Sequence, residues 1–260
     1  MNTSNIALIT GASGGIGLEL AKIHAKKGGD LVLVARTLPK LESLKVEIEK
    51  QYNVSVHVIS EDLSDPQSPQ RIFDYTENHG LEISTLINNA GFGGHGLFHK
   101  RVLDADLSMI QVNINALVSL THLYLQGMVE RNHGKILNVS STVSFLPGPL
   151  QAVYYATKSF VTSFSQAIAQ EVEDNNITVT ALCPGTVKTG FVEAGDLKGV
   201  DAWKNAKSPE SVAQIGYQAM EKGQLVAFNE RGLQFMLEWL IPLLPRKMVL
   251  KLSRQSMEKH

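Results

Sequence analysis

Residues 138–158 read NVSSTVSFLPGPLQAVYYATK, which sets two adjacent hydroxyls, two phenols and an ammonium around one loop and one helix start. Tyr154 and Lys158 are four apart, so on a helix they share a face. Tyr155 points elsewhere, although its i+3 relation to the lysine keeps it as a second candidate. A free tyrosine titrates near 10 and is a poor proton donor at neutral pH; an adjacent ammonium stabilises the phenolate and lowers that value. The spacing therefore makes general acid–base chemistry feasible.

The elements that must hold these residues alternate along the chain. NIALIT, DLVLVAR, VSVHVIS, TLINNAG, GKILNVSS, ITVTALCPG and QLVAFN read as strands. Between them lie helical patterns, such as LPKLESLKVEIEKQY with Leu41, Leu44 and Ile48 on one side. Long helices are expected over about 104–130 and 151–175. Apolar strands alternating with helices predict an α/β fold, a single-domain, Rossmann-like, doubly wound parallel sheet of about seven strands. No linker divides the chain, so 1–229 is read as the dinucleotide-binding and catalytic unit, with a lid at 190–206. Residues 230–260 are read as a helical C-terminal extension packed on the same domain. Ser141 then ends strand five, at the carboxyl edge of the sheet where such folds bind ligands.

TGASGGIG, residues 10–17, follows the first strand and opens the first helix. Its glycines allow a tight turn, and the free N–H groups of the helix start favour an anion such as a pyrophosphate. The spacing is Gly11-x-x-x-Gly15-x-Gly17. The second strand ends in Ala35-Arg36 rather than an acid, which favours a 2′-phosphate, with Ser13 as a further donor, and so NADP(H) over NAD(H).

These motifs together resemble the short-chain dehydrogenase/reductase family, over about residues 5–190. The resemblance implies a catalytic set of Asn113, Ser141, Tyr154 and Lys158. Ser141 would hold the substrate oxygen, Tyr154 would move the proton, and Lys158 would bind the nicotinamide ribose and lower the tyrosine pKa. Asn113 would hold a water in the proton relay, with Asn115 as its rival. The resemblance implies cofactor contacts from Gly11, Ser13, Gly15, Ile16, Gly17, Arg36, Asp62 and Leu63. It adds Asn89, Ala90 and Gly91 of the NNAG segment, Tyr154 and Lys158 themselves, and Pro184, Gly185, Val187 and Thr189 after strand six. The family's habit of pairing its long helices implies a homodimer or homotetramer.

The expected activity is NADP(H)-dependent interconversion of a carbonyl and an alcohol. Phe191, Val192, Leu197, Val200 and Trp203 in the lid suggest an apolar substrate. A 3-oxoacyl-thioester reductase is the rival, if Lys100, Arg101, Lys188 and Lys198 cluster for an acidic carrier. A non-catalytic NADPH sensor is the alternative of another class, and an intact catalytic set argues against it. The formal net charge of −1 gives no general attraction to nucleic acid. The lone Cys183 excludes an internal disulfide, and no secretory signal or spanning run is visible, so a cytoplasmic protein is expected. His95 and His99 have helical metal-ligand spacing but sit in a glycine-broken loop with no third ligand, so no metal is expected. The extension, with Phe235, Met236, Trp239, Leu240, Ile241, Leu243 and Leu244, is too apolar to remain exposed cheaply. It is expected to close the core or a subunit contact, to line the pocket, or to rest on a membrane surface helped by Arg246, Lys247 and Lys251.

Overall fold

The computed structural model describes residues 5–259. The first four residues of the expected 1–229 unit, and His260, lie outside the described residues. Seven strands, β1 (Ile6–Thr10), β2 (Asp30–Ala35), β3 (Val56–Ser60), β4 (Ile83–Asn88), β5 (Gly134–Val139), β6 (Ile177–Cys183) and β7 (Val226–Phe228), form one sheet. All pairings are parallel and the order is β3-β2-β1-β4-β5-β6-β7. Chain order reverses direction between β1 and β4, which opens a crevice above their carboxyl ends.

The strands are buried on both faces, as a parallel sheet requires. Along β2, Leu31 and Leu33 point to one face and Val32 and Val34 to the other. The first face is covered by α1 (Gly15–Lys26), α2 (Leu38–Tyr52) and the later α8 (Pro209–Glu221), through Leu20, Leu41, Ile48 and Val212. The second is covered by α3 (Ser68–Asn78) and a long helical run, through Ile72, Leu120, Tyr124 and Met128.

That run is expected as one helix over 104–130. It is instead α4 (Leu103–Ile110), a π-helical turn over Gln111–Ala116, and α5 (Leu117–Arg131). The helix expected at 151–175 is α6 (Ala152–Glu171), with a separate 3₁₀ turn at Glu173–Asn175. The lid contains the short α7 (Phe191–Ala194), and the extension contains α9 (Arg231–Phe235) and α10 (Arg246–Ser256).

Polar side chains lock the centre of the sheet. Asn88 Nδ2 donates to Asn138 Oδ1 at 2.9 Å, and Asn138 Nδ2 donates to Ser165 Oγ at 2.9 Å. This chain fixes β4, β5 and α6 relative to one another without leaving its buried amide donors unpaired. The extension packs on the sheet edge through Leu237, beside Ala181, Cys183 and Phe228. Phe235, Trp239, Leu240 and Leu243 nevertheless stay exposed. Of the outcomes expected for this segment, packing on the core is seen for one side of it.

Candidate active site

Residues 138–158 become the end of β5, a loop, and the first turns of α6. Ser140, the first of the two serines, fastens strand to helix: its Oγ donates to Lys158 O at 2.9 Å and lies 2.6 Å from Thr162 Oγ1. Ser141 is also buried; its Oγ donates to Pro184 O at 3.3 Å and accepts from Val143 N at 3.3 Å. Lys158 Nζ donates to Val139 O at 2.8 Å and sits 6.0 Å from the centre of the Tyr154 ring. Tyr154 packs against Phe191 of the lid, with ring centres 5.2 Å apart. Tyr155 turns to the opposite side and fills the space beside Gly148.

Asn113 lies in the π-helical turn, and its amide makes three hydrogen bonds. Nδ2 donates to Phe92 O and Thr157 Oγ1, while Oδ1 accepts from Phe92 N. A Cβ on Gly91 would lie 3.0 Å from Asn113 Oδ1 and 3.3 Å from Lys158 Nζ, so the three positions share one close-packed corner. The asparagine side chain thus clamps the loop after β4 onto α6. A relay water would have to meet its remaining lone pair or the backbone of this turn. Asn115 bonds Gln111 at an exposed site and is not brought there.

Burial sets the proton affinities. The Tyr154 phenol is pushed well above its ordinary value because its anion would be desolvated, and the Ser141 hydroxyl opposes that only in part. The expected lowering by the lysine is not seen. Burial also disfavours the Lys158 ammonium and lowers it to about 8. Tyr154 is therefore held as a neutral phenol, a proton donor beside a cation that is itself close to titrating at neutral pH.

The same groups line one end of a cleft of about 760 Å³ above the carboxyl ends of the strands. Its other end is built from the glycine turn. Gly11 and Gly15 have φ of +65° and +57°, the left-handed region that favours glycine. Thr10 Oγ1 accepts the N–H groups of Asn89 and Ala90, each at 3.0 Å, which ties this turn to the end of β4. The first turn of α1 carries no acid, so its free N–H groups present an uncompensated positive end to the cleft.

The structure brings Gly11, Ser13, Gly15, Ile16, Arg36, Asp62, Leu63, Asn89, Ala90, Gly91, Pro184, Gly185, Val187 and Thr189 to the cleft wall with Ser141, Tyr154 and Lys158. Gly17 is not there. A Cβ at Gly17 would strike Asn89 Nδ2 and Gly11 O, so this glycine lets α1 sit against the strand ends. Leu197 and Val200 also turn away from the cleft, burying themselves against Met257, while Phe191 and Trp203 remain in its wall. Among the described residues no group of three metal-ligating side chains converges, and His95 Nε2 lies 2.7 Å from Met257 O.

Lys40 and Met257 are among the lining residues that escape the sequence reading. Lys40 stands one helical turn after Arg36, a spacing that could have exposed it. Met257 reaches the cleft from the end of α10, and nothing local in the sequence announces that return. At the Arg36 end the acid Glu61 is neutralised by Arg71, with contacts of 2.9 and 2.7 Å. Among the described residues neither Arg36 nor Lys40 is paired with an acid.

Known proteins are similar to this chain. The family model of the short chain dehydrogenases matches residues 5–197. Human 17-beta-hydroxysteroid dehydrogenase type 3 is 37% identical over 190 residues, covering 72% of this chain and 60% of that protein. Very-long-chain 3-oxoacyl-CoA reductase of Macaca fascicularis is 32% identical over 253 residues, covering 95% of this chain and 78% of that one. Among solved structures, a short-chain dehydrogenase from Sphingobium yanoikuyae in complex with NADPH superimposes with a TM-score of 0.83 at 28% identity, covering 90% of this chain and 91% of the other. A glycine turn, a Ser-Tyr-Lys cluster and a crevice between them, carried on this sheet and matched over three quarters of its length, make the chain an oxidoreductase of the short-chain dehydrogenase/reductase family.

Proposed function

We propose that this chain is an NADP(H)-dependent reductase of carbonyl groups borne on large apolar molecules. The observation that carries it is the continuity of the cleft, from Arg36 and Lys40 at one end to Ser141, Tyr154 and Lys158 at the other. The residues present fit the dinucleotide. The Gly11–Gly15 turn and the start of α1 would hold its pyrophosphate, Arg36 and Lys40 its 2′-phosphate, Asp62 and Leu63 its adenine, and Thr189 its carboxamide. A Cβ at Gly15 would lie 3.0 Å from Thr189 Cγ2, so only a glycine leaves this passage open.

Bound there, NADPH supplies the hydride that reduction of a carbonyl carbon needs. The protein moves the proton. Ser141 donates a hydrogen bond to the carbonyl oxygen, and Tyr154 passes its phenolic proton to that oxygen as negative charge builds on it. The Lys158 ammonium stabilises the phenolate that results. In the oxidative direction Tyr154 takes the proton back. Phe191 and Trp203 keep water from the reacting carbon.

The apolar reading rests on those two aromatic residues and on the company the chain keeps. The two curated relatives are named for a steroid and for a very-long-chain acyl thioester, both bulky apolar skeletons. A 3-oxoacyl-CoA substrate is the second reading, favoured by a relative that aligns over nearly the whole chain. A carrier-protein docking patch is less favoured, because Arg101 is withdrawn into a contact with buried Asp106 at 2.6 Å.

Cofactor choice provides the first test. A charge-assisted hydrogen bond contributes about 1.5–3 kcal/mol, so NADPH should exceed NADH in kcat/KM by tens-fold or more. Replacing Arg36 and Lys40 together by alanine should shrink that ratio at least tenfold, through KM for NADPH. Equal kcat/KM for both cofactors in the parent protein would contradict the assignment.

A further inference from the structure

The extension presents a feature that the proposed chemistry does not use. Leu233, Leu237 and Ile241 pack toward the sheet edge. On the other side Phe235, Met236, Trp239, Leu240 and Leu243 stand in solvent, with Trp239 at 66% and Leu243 at 81% exposure. These five are spaced like one helical stripe along a segment that contains two prolines, Pro242 and Pro245. A contiguous apolar stripe topped by a tryptophan marks a surface that something else covers.

Charge identifies what covers it. Residues 230–260 contain six cations against three acids, Glu230, Glu238 and Glu258. Arg254 pairs with Glu258 at 3.3 Å and Lys259 with Asp196 at 2.9 Å, which leaves Arg231, Arg246, Lys247 and Lys251 with no salt bridge among the described residues. The whole chain carries a net −1, so the remainder is distinctly acidic. Positive charge is thus concentrated in the segment that exposes the apolar stripe. An apolar face with tryptophan, flanked by lysine and arginine, matches an anionic lipid surface: the apolar side chains enter the headgroup boundary and the cations meet the lipid phosphates. A second copy of this chain would place the same cations against themselves. Among the described residues no helix is long and apolar enough to cross a membrane, so contact would be with the surface.

We infer that residues 231–254 dock this protein onto anionic bilayer surfaces. The same extension continues into Met257, which packs on Leu197 and Val200 of the lid and lines the cleft. Docking would therefore bring the lid side of the cleft toward the phase in which an apolar substrate dissolves. The docking stands without any reading of the substrate.

The test is co-sedimentation of the whole chain with vesicles of equimolar phosphatidylglycerol and phosphatidylcholine, beside vesicles of phosphatidylcholine alone. The chain should pellet with the anionic vesicles, weakly with the neutral ones, and less as salt is raised. Lys247→Ala with Lys251→Ala should lower anionic partition by about tenfold or more, since each cation near such a surface strengthens binding about fivefold. Trp239→Ser with Leu243→Ser should weaken it on the order of tenfold on both lipids. Both pairs are exposed, so an unchanged melting temperature shows that the variants fold. No pelleting with the anionic vesicles overturns the inference, as does pelleting that neither pair changes. Light scattering in which the parent is a dimer and the Trp239, Leu243 pair a monomer would assign the face to a second copy instead.

Discussion

Tyr154→Phe should lose turnover by about a hundredfold to ten-thousandfold, the range expected when a positioned general acid is removed. The ring stays, so the contact with Phe191 and the cleft wall stay with it. Binding of NADPH, followed by fluorescence titration, should change little. The effect should therefore fall on kcat and kcat/KM together, the signature of an interaction made only in the transition state. Tyr155→Phe is the matched control, because that ring lies against Gly148 outside the cleft, and it should keep most of the activity. A Tyr154→Phe enzyme with parental kcat would remove the proton donor from the mechanism.

Lys158→Met carries the second large effect, and it runs in two directions. Turnover should fall on the order of a hundredfold or more, since no cation remains to hold the phenolate. Stability should rise. The ammonium titrates near 8 when folded against 10.5 as an ordinary lysine. Below pH 8 both folded and unfolded chains carry the charge, and the folded state bears the whole cost of burying it. Between 8 and 10.5 the unfolded chain holds more protons, so stability of the parent climbs with pH across that window. At neutral pH the buried charge costs about 3 kcal/mol, and losing the hydrogen bond to Val139 O returns about 1 kcal/mol of it. The chain without cofactor should then melt several degrees higher as the methionine variant at pH 7, and the difference should narrow toward pH 10. A lower melting temperature, or a gap that widens with pH, would show that the lysine is not held against its charge.

The sheet was legible because its strands are apolar throughout and its glycine turn sits at a strand end. β2 begins at Asp30 as read and ends at Ala35, one residue early, because Arg36 turns out toward the cleft. Tyr154 and Lys158 were legible because a four-residue offset fixes a shared helix face wherever the helix lies. What escaped depends on contacts distant in sequence. The π-helical turn at Gln111–Ala116 arises where Asn113 is pulled onto Phe92 and Thr157, and no periodicity carries that. The Gly17 contact needs Asn89 in place, and Met257 needs the whole extension to fold back over the lid. The tyrosine's proton affinity is not legible in the sequence, which shows the neighbouring charge and not the burial that outweighs it. The placement of Leu197 and Val200 is hidden for the same reason: an apolar lid residue can face the pocket or the fold beneath, and here both pack on Met257.

The most direct test is NADPH oxidation by the purified chain across a homologous series of aliphatic ketones and aldehydes, with short keto acids beside them. Each added methylene that enters the cleft contributes about 0.8 kcal/mol of burial. kcat/KM should therefore climb severalfold per carbon until the space beside Phe191 and Trp203 is filled, and the keto acids should turn over poorly. No NADPH consumption with any member, a flat profile with chain length, or a clear preference for the charged keto acids would contradict the proposed function.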